Sequence, residues 1–464
     1  MTSSIPYRFG YIHFEDKDEP SFGYFSIAGA KSMRFETLGD LPSDVLFWCN
    51  LKHDDLYRNS DIKGMSTIRH DKFLIISPDD CLLEWGNNPK KTPPDKAVIF
   101  ISRLFSRIMT VAYNLIHEVK PQRPPHEIFS KHDLRNDIVA VLPRAQYPNG
   151  EAALVVRSNY AYTDYTGTLL RGSKGMARVQ VRRPRLTHAL DMLMTPIPDG
   201  DFTFSSGRTL ENPEATMLTS PAPMLCEVSV SSIDAAMSPV LAFGNSMDAK
   251  KKIMRTWVAH PEAISMSAFA EVRVKSAWCG ERYTTLYDTL PQPIIDFLSC
   301  SFAPVSWSAG IIAETIWKAA CLRNPYRGNP KDPSPDTSWR GLWLKSSDKV
   351  FTFTAAMEMS RKNWTVSAYG AGGIWLMCPP DQVTEIVKSA FACGLIPRLD
   401  AIPQKFDQAT RWNGDAQSKV LANLTLNREF DVLLEVDKLM VLPQSQRATA
   451  FGVFMMKKKQ EKSA

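Results

Sequence analysis

Residues 159–188 concentrate the side chains that could do chemistry. They read Asn-Tyr-Ala-Tyr-Thr-Asp-Tyr, then Thr-Gly-Thr-Leu-Leu-Arg-Gly-Ser-Lys-Gly-Met-Ala-Arg-Val-Gln-Val-Arg-Arg-Pro-Arg-Leu-Thr-His. No Asp or Glu falls between Tyr165 and Leu190, while the window holds Arg171, Lys174, Arg178, Arg182, Arg183, Arg185 and His188. Tyr160, Tyr162 and Tyr165 add aromatic rings. Cations without counter-charges attract a phosphate backbone, and rings take unstacked bases at ~1–3 kcal/mol each. A basic helix from Asp248 with Lys250, Lys251, Lys252 and Arg255, and a basic tail from Lys457, offer an extension of the same surface, although each alone reads as an ordinary solvated face. Nucleic acid or another polyanion fits this pattern. So does a solvated hairpin, or an arm pairing with acidic surface such as the N-terminal region.

Catalytic signatures fail on spacing. Gly167-Thr-Leu-Leu-Arg-Gly172-Ser-Lys174 has Ser and Lys transposed relative to a phosphate-binding loop, where Lys must follow the second Gly directly. Ser306-Trp-Ser308-Ala-Gly310 sits between a strand-like and a helical stretch, as a nucleophile elbow does. That fold needs a His after the Ser, and the last His is His260, so Ser308 reads as a helix N-cap. Asp79 and Asp80, with Glu118 and Lys120, make a poor Mg²⁺-nuclease set and read as solvated turn residues. His132-Asp133-Leu134-Arg135-Asn136 departs from a kinase catalytic loop, and His117 and His126 lack zinc-site helix spacing. No metal, cofactor or catalytic residue is expected.

The totals set the frame for these residues. At 464 residues the chain is too long for one ordinary core, and 44% hydrophobic with 10% aromatic content belongs to packed protein. A net charge of +6 permits nucleic-acid contact without announcing it, so the local cluster outweighs the sum. Eight scattered Cys with no C-x-x-C pair read as reduced, mostly buried thiols. The opening residues lack a charged leader and apolar run, and 97–119 is interrupted by Arg103, Arg107 and His117. An intracellular, cytoplasmic-like location (or one within a particle) with no membrane partner is the expectation.

The elements that position the cluster follow from periodicity. The expected class is mixed α+β, with mainly antiparallel sheets and a C-terminal strand-helix-strand unit. An N-terminal region, 1–125, carries a strand at Phe73–Ser77 and a long helix over 95–119, with Arg103 and Arg107 on its wetter side. Residues 126–328 form a β-rich domain with strands at Ile138–Leu142, Ala152–Arg157, Met176–Val181, Cys226–Ser231 and Glu271–Ala277, and an apolar helix Ile311–Leu322. In Met176–Val181 the Arg178, Gln180, Arg182 side faces out while Val179 and Val181 pack. Arg327–Asp336 is a linker. Residues 337–456 open with strands, then run Gly373–Cys378 strand, a proline-started helix ended by Gly394, and a strand at Leu395–Leu399; 457–464 is a tail.

Residues 364–400, with Gly370, Gly372 and Gly373 before a strand that enters a proline-started helix, resemble the C-terminal domain of aminoimidazole ribonucleotide synthase and its relatives. The resemblance implies that strand–helix unit and no site residue. The reading that unites these features is a non-enzymatic structural or adaptor subunit of a ribonucleoprotein or viral-type assembly, bound to RNA or single-stranded DNA and to other protein subunits. Its rivals are an enzyme acting on nucleotides or phosphorylated metabolites, with Gly370–Gly373 lining a pocket, and a scaffold with an acidic protein partner.

Overall fold

The computed structural model describes residues 7–122, 129, 134–148, 150–163, 175–206, 221–232, 257–300, 303–321, 338–402, 406, 410–442 and 444–463. At about 49% helix and 22% strand, in several mostly antiparallel sheets, the chain has the mixed α+β, multidomain fold expected.

Five strands open it: β1 (Arg8–Phe14), β2 (Gly23–Ile27), β3 (Met33–Phe35), β4 (Val45–Cys49) and β5 (Ile68–Arg69), with short helices α1 (His53–Arg58) and α2 (Ser60–Lys63) between the last two. Their sheet order is β3-β2-β1-β4-β5, with β1–β4 and β4–β5 parallel. Every residue of β4 is buried, as befits a central strand covered on both faces. Phe9, Tyr11 and Trp48 face one core, whereas Ile12, Phe14 and Phe47 face another, the period-two alternation of a strand.

Phe73–Ser77, expected as a strand, is turn and loop. Its four apolar residues still pack inward, but they lead straight into α3 (Pro78–Glu84), whose Ser77 cap accepts from the Asp80 amide at 3.1 Å. Helix α4 (Pro94–Val119) confirms the long helix, starting on proline at its first position. Among the described residues it is the one helix long and apolar enough to cross a membrane, and two thirds of that apolar stretch is buried in the protein. Arg107 is not on a wet side. It is 7% exposed and reaches Leu434 O and Asp437.

Two further expected strands are helical: α5 (Leu134–Val139) covers part of 138–142, and α6 (Gly150–Thr163) covers 152–157. There Ala152 and Val156, four apart, are buried while Leu154 is 69% exposed, so the period is helical. After these come β6 (Ala177–Arg182), α7 (Arg185–Met194), β7 (Pro196–Ser206), β8 (Met224–Ser231), β9 (Trp257–Ala259), α8 (His260–Ser267), β10 (Glu271–Thr285), α9 (Gln292–Leu298) and α10 (Trp307–Ala320). The strands at 176–181, 226–231 and 271–277 and the helix at 311–322 are thus present, the last two elements running longer or earlier than expected.

The region after 337 opens not with strands but with α11 (Trp339–Arg361), followed by β11 (Thr365–Gly370), β12 (Gly373–Cys378), α12 (Val383–Ala392), the two-residue β13 (Ile396–Pro397), α13 (Ala416–Leu426), α14 (Phe430–Leu439) and α15 (Gln444–Ser463). The basic tail is the end of α15. Gly394, at φ +73°, stops α12 as expected. A second sheet runs β7-β10-β8-β9 and a third β11-β12-β6-β13. The third joins β6, from the middle of the chain, to strands beyond the 327–336 stretch, which itself lies outside the described residues. One large core links Phe9, Phe105, Leu186, Ile312, Trp343 and Met440, so α4, α7, α10, α11 and the residue closing α14 share an interior.

Candidate nucleic-acid interface

Strand β6 builds the site. Val179 and Val181 are buried against Ile374 and Leu376, and Arg178, Gln180 and Arg182 lie on the opposite face, as the alternation requires. Antiparallel pairing sets Arg178 opposite Met377, Gln180 opposite Trp375, and Arg182 opposite Gly373 on one side and Ile396 on the other. Cross-strand partners share a face, so Trp375 stands among the outward β6 side chains. The Arg178 guanidinium lies 4.0 Å from the centre of its ring, and Arg398, just past β13, lies 6.0 Å from the same centre. Arg178 is exposed, and no carboxylate pairs with it among the described residues. Burial against the ring, then repulsion from Arg398, lowers its pKa from the ordinary arginine value. Two guanidinium groups thus stand over one indole, Arg398 also reaching Asp80 at 3.8 Å and Arg178 facing outward.

The expected ribbon of unpaired cations stops there. Arg182 pairs with Glu314 at 3.1 Å, and Arg183 pairs with Asp191. Arg185, 11% exposed, donates to Glu314 at 2.5 Å and Glu84 at 2.6 Å. Trp307 Nε1 donates to Glu84 at 2.8 Å, and Lys318 reaches Glu314 at 2.8 Å. Burial pushes both carboxyls up, but the surrounding cations outweigh it: Arg185 first at Glu84, and Arg182, Lys318 and Arg185 at Glu314. Glu84 ends below its ordinary value and Glu314 well below. Arg185 is itself desolvated, yet Glu84 and Glu314 hold its proton more tightly than usual. His188 is no surface cation either. It is 1% exposed and hydrogen-bonds Asp348 at 2.8 Å.

Of the other expected binding residues, Tyr160 and Tyr162 fall on α6, their side chains outside the described set. Tyr165, Arg171, Lys174, Lys250, Lys251, Lys252 and Arg255 lie outside the described residues. Trp375 and Arg398 were missed. The first was legible, because Ile374, Leu376 and Cys378 form the buried alternation of β12 and leave Trp375 outward. The carboxylates were not, since Glu84 and Glu314 stand 101 and 129 residues from Arg185.

The other candidates resolve structurally. Gly370-Ala371-Gly372-Gly373 is the tight β11–β12 turn, with φ +129°, +50° and +74° at its first three residues. Its Ala371 and Gly372 amides both donate to Asp348 at 2.8 Å, which leaves neither for a phosphate. Ser306, not Ser308, is the α10 N-cap, accepting from the Ala309 amide. Ser308 instead donates to Asp437 at 2.7 Å. Asp80 is engaged with Ser77. Among the described residues no group of three His, Cys, Asp or Glu side chains is placed to hold a metal.

Beside the sheet face a cleft of about 120 Å³ runs between β6, β13, the end of α3 and the starts of α7 and α10. Among the described residues, Arg178, Arg182, Arg183, Arg185, Lys318 and Arg398 stand around face and cleft. Against these six cations are four carboxylates, Glu84, Glu314, Asp191 and Asp80, the last 3.8 Å from Arg398. The excess is positive and centres on Arg178.

No protein-family model matches the chain, and no curated protein matches it. Among solved structures, phi29 DNA polymerase complexed with primer-template DNA, as a post-translocation binary complex, is similar to it at 10% identity over 80% of each chain, with a TM-score of 0.42. The same polymerase complexed with single-stranded DNA gives the same identity, coverage and TM-score.

Proposed function

We propose that the protein binds a strand of nucleic acid, RNA or single-stranded DNA, across the outward face of the β11-β12-β6-β13 sheet, as a structural or adaptor subunit of a larger nucleic-acid assembly. The observation that carries this is the pair of guanidinium groups over Trp375, with Gln180 opposite the indole on the same face. An arginine stacked on an indole presents a flat cationic surface on which a base can rest, and a second guanidinium beside it answers a phosphate. An amide at the same level supplies a donor and an acceptor for a base edge. The ion pairs of Arg182 and Arg185 make those residues supports of the face, not free phosphate ligands.

The test is fluorescence anisotropy with labelled single-stranded RNA, single-stranded DNA and duplex DNA over a salt series. Binding should weaken linearly on a log–log plot, and Arg178→Ala should reduce the slope by about 0.7, the share of one phosphate on a single strand. Trp375→Ala should weaken single-strand binding by ~1–3 kcal/mol, the worth of one stacked base. Salt-independent binding, or Ala variants that bind as the parent does, would remove the proposal. Purification from the native source adds the assembly half: nucleic acid should co-elute with the protein in a complex larger than a monomer.

A further inference from the structure

The cleft beside the sheet face is built unlike a surface groove. Trp85 and Trp307 line it and meet edge to face at 6.1 Å, and Leu399, Leu421 and Leu433 complete an apolar wall. Two residues of the lining carry a buried donor with no acceptor among the described residues. One is the indole N–H of Trp85, a residue 6% exposed. The other is the Arg182 Nε, buried although its Nη2 reaches Glu314. A buried donor left unanswered costs about 1–3 kcal/mol, so an acceptor brought to either group would stabilise the complex. The acid in the wall does not repel an electron-rich visitor, because Arg185 and the Trp307 indole occupy the Glu84 oxygens.

Size and position narrow the visitor. A closed apolar cavity on the order of 150 Å³ holds a benzene ring; this cleft, at about 120 Å³ and open to solvent, has room for no more than one six-membered ring. Its lining includes Gln180, Arg182 and Arg398, so it opens directly beside the Arg178–Trp375 stack. A flat ring with carbonyl or ring-nitrogen acceptors on its edge matches the aromatic wall and the two waiting donors together. We infer that the cleft is a nucleobase subsite, filled by a base turned out of the strand lying on the neighbouring face. The inference rests on the strand-binding reading above.

The experiment is an abasic scan: labelled single-stranded oligonucleotides carrying one abasic position at a time, measured by anisotropy against the parent protein, Leu421→Trp and Trp85→Phe. In the parent, one position should cost roughly 5- to 150-fold when its base is removed, the loss of one well-stacked base. Leu421→Trp, a half-buried position at which an indole fills the cleft, should abolish that step. Trp85→Phe keeps an aromatic six-membered ring and removes the pyrrole half with its N–H, and should weaken the intact oligonucleotide about 2- to 10-fold. Circular dichroism melts confirm that each variant is folded. A flat scan with Arg178→Ala still weakening binding overturns the subsite alone. Absence of salt-dependent binding to any strand overturns the parent reading and the subsite with it. A flat scan accompanied by saturable thermal stabilisation from nucleoside monophosphates assigns the cleft to a free nucleotide and overturns the strand-base inference.

Discussion

At the scale of residues, the cluster that looked like free cation is half an ion-pair ring. Glu314 is buried and Glu84 half-buried, with Arg182, Arg185 and Lys318 around them. Among the described residues Arg185 is the one cation paired with Glu84 and one of three paired with Glu314. Arg185→Ala should therefore lower stability by ~3–5 kcal/mol at pH 7 in chemical denaturation. The pH dependence has a definite sign. Folded Glu84 and Glu314 hold their protons less tightly than the ordinary glutamate at 4.5, so unfolding takes up protons. The ring's contribution is complete above about 4.5 and drains away as the pH falls through the lowered folded values. The Arg185→Ala penalty should consequently shrink between pH 7 and pH 3.5, since protonated carboxyls no longer need the partner. A penalty equal at both pH values would show that the loss is one of packing. The arginines could be read from the sequence. Their neutralisation could not, because local sequence carries no trace of carboxylates a hundred residues distant.

At the scale of elements, helix starts were easier to read than what secures them. The proline and serine before α3, α4 and α10 mark their first turns. The deeper anchor of α10 comes from another helix. Asp437, on α14, is fully buried and accepts from the Ser308 amide and hydroxyl, from the Ser306 hydroxyl at 2.6 Å, and from Arg107 of α4 at 3.4 Å. Asp437→Ala should cost ~3–5 kcal/mol, leaving the Arg107 charge in the interior without its carboxylate. Asp437→Asn keeps the shape and half the acceptors, and should recover part of that loss in the same denaturation assay. Equal loss in both would place the effect in the charge alone. The β11–β12 turn yields a second prediction. Gly372 sits at φ +74°, and a Cβ there would meet His188 Cδ2 at 2.9 Å. Gly372→Ala should cost more than the ~1 kcal/mol of backbone strain alone, because the ring must also move. A loss of ~1 kcal/mol or less in urea titration would mean that His188 moves aside freely. Ala152–Arg157 shows the opposite limit of legibility. A five-residue apolar run, 152–156, supports either period, and tertiary packing of Ala152 and Val156 selected the helix.

At the scale of the whole molecule, the prolines of 327–336 suggested a boundary, and the third sheet is built from both sides of it. Six residues of β12 pair with β6, Gly373 opposite Arg182 through Cys378 opposite Ala177. Val179 and Val181 share a core with Tyr369, Ile374 and Leu376. Helix α11 buries Trp343, Leu342 and Leu344 in the large core shared with α4 and α7, and its Lys349, 1% exposed, pairs with Glu262 of α8 at 3.4 Å. A fragment 337–464 made alone would lose all of this at once. Each fully buried side chain returned to water forfeits ~1.5–3 kcal/mol, so three large α11 residues alone consume much of the 5–15 kcal/mol that separates a folded domain from its unfolded chain. It would also expose β12 as an unpaired edge, which invites association between copies. The expected outcome is that 337–464 shows no cooperative melt and self-associates, whereas co-expression with 1–336 restores a soluble pair with one thermal transition. A fragment 337–464 that melts cooperatively as a monomer would mean that the sheet tolerates the loss of β6, and that the Arg178–Trp375 face is a junction between separable bodies.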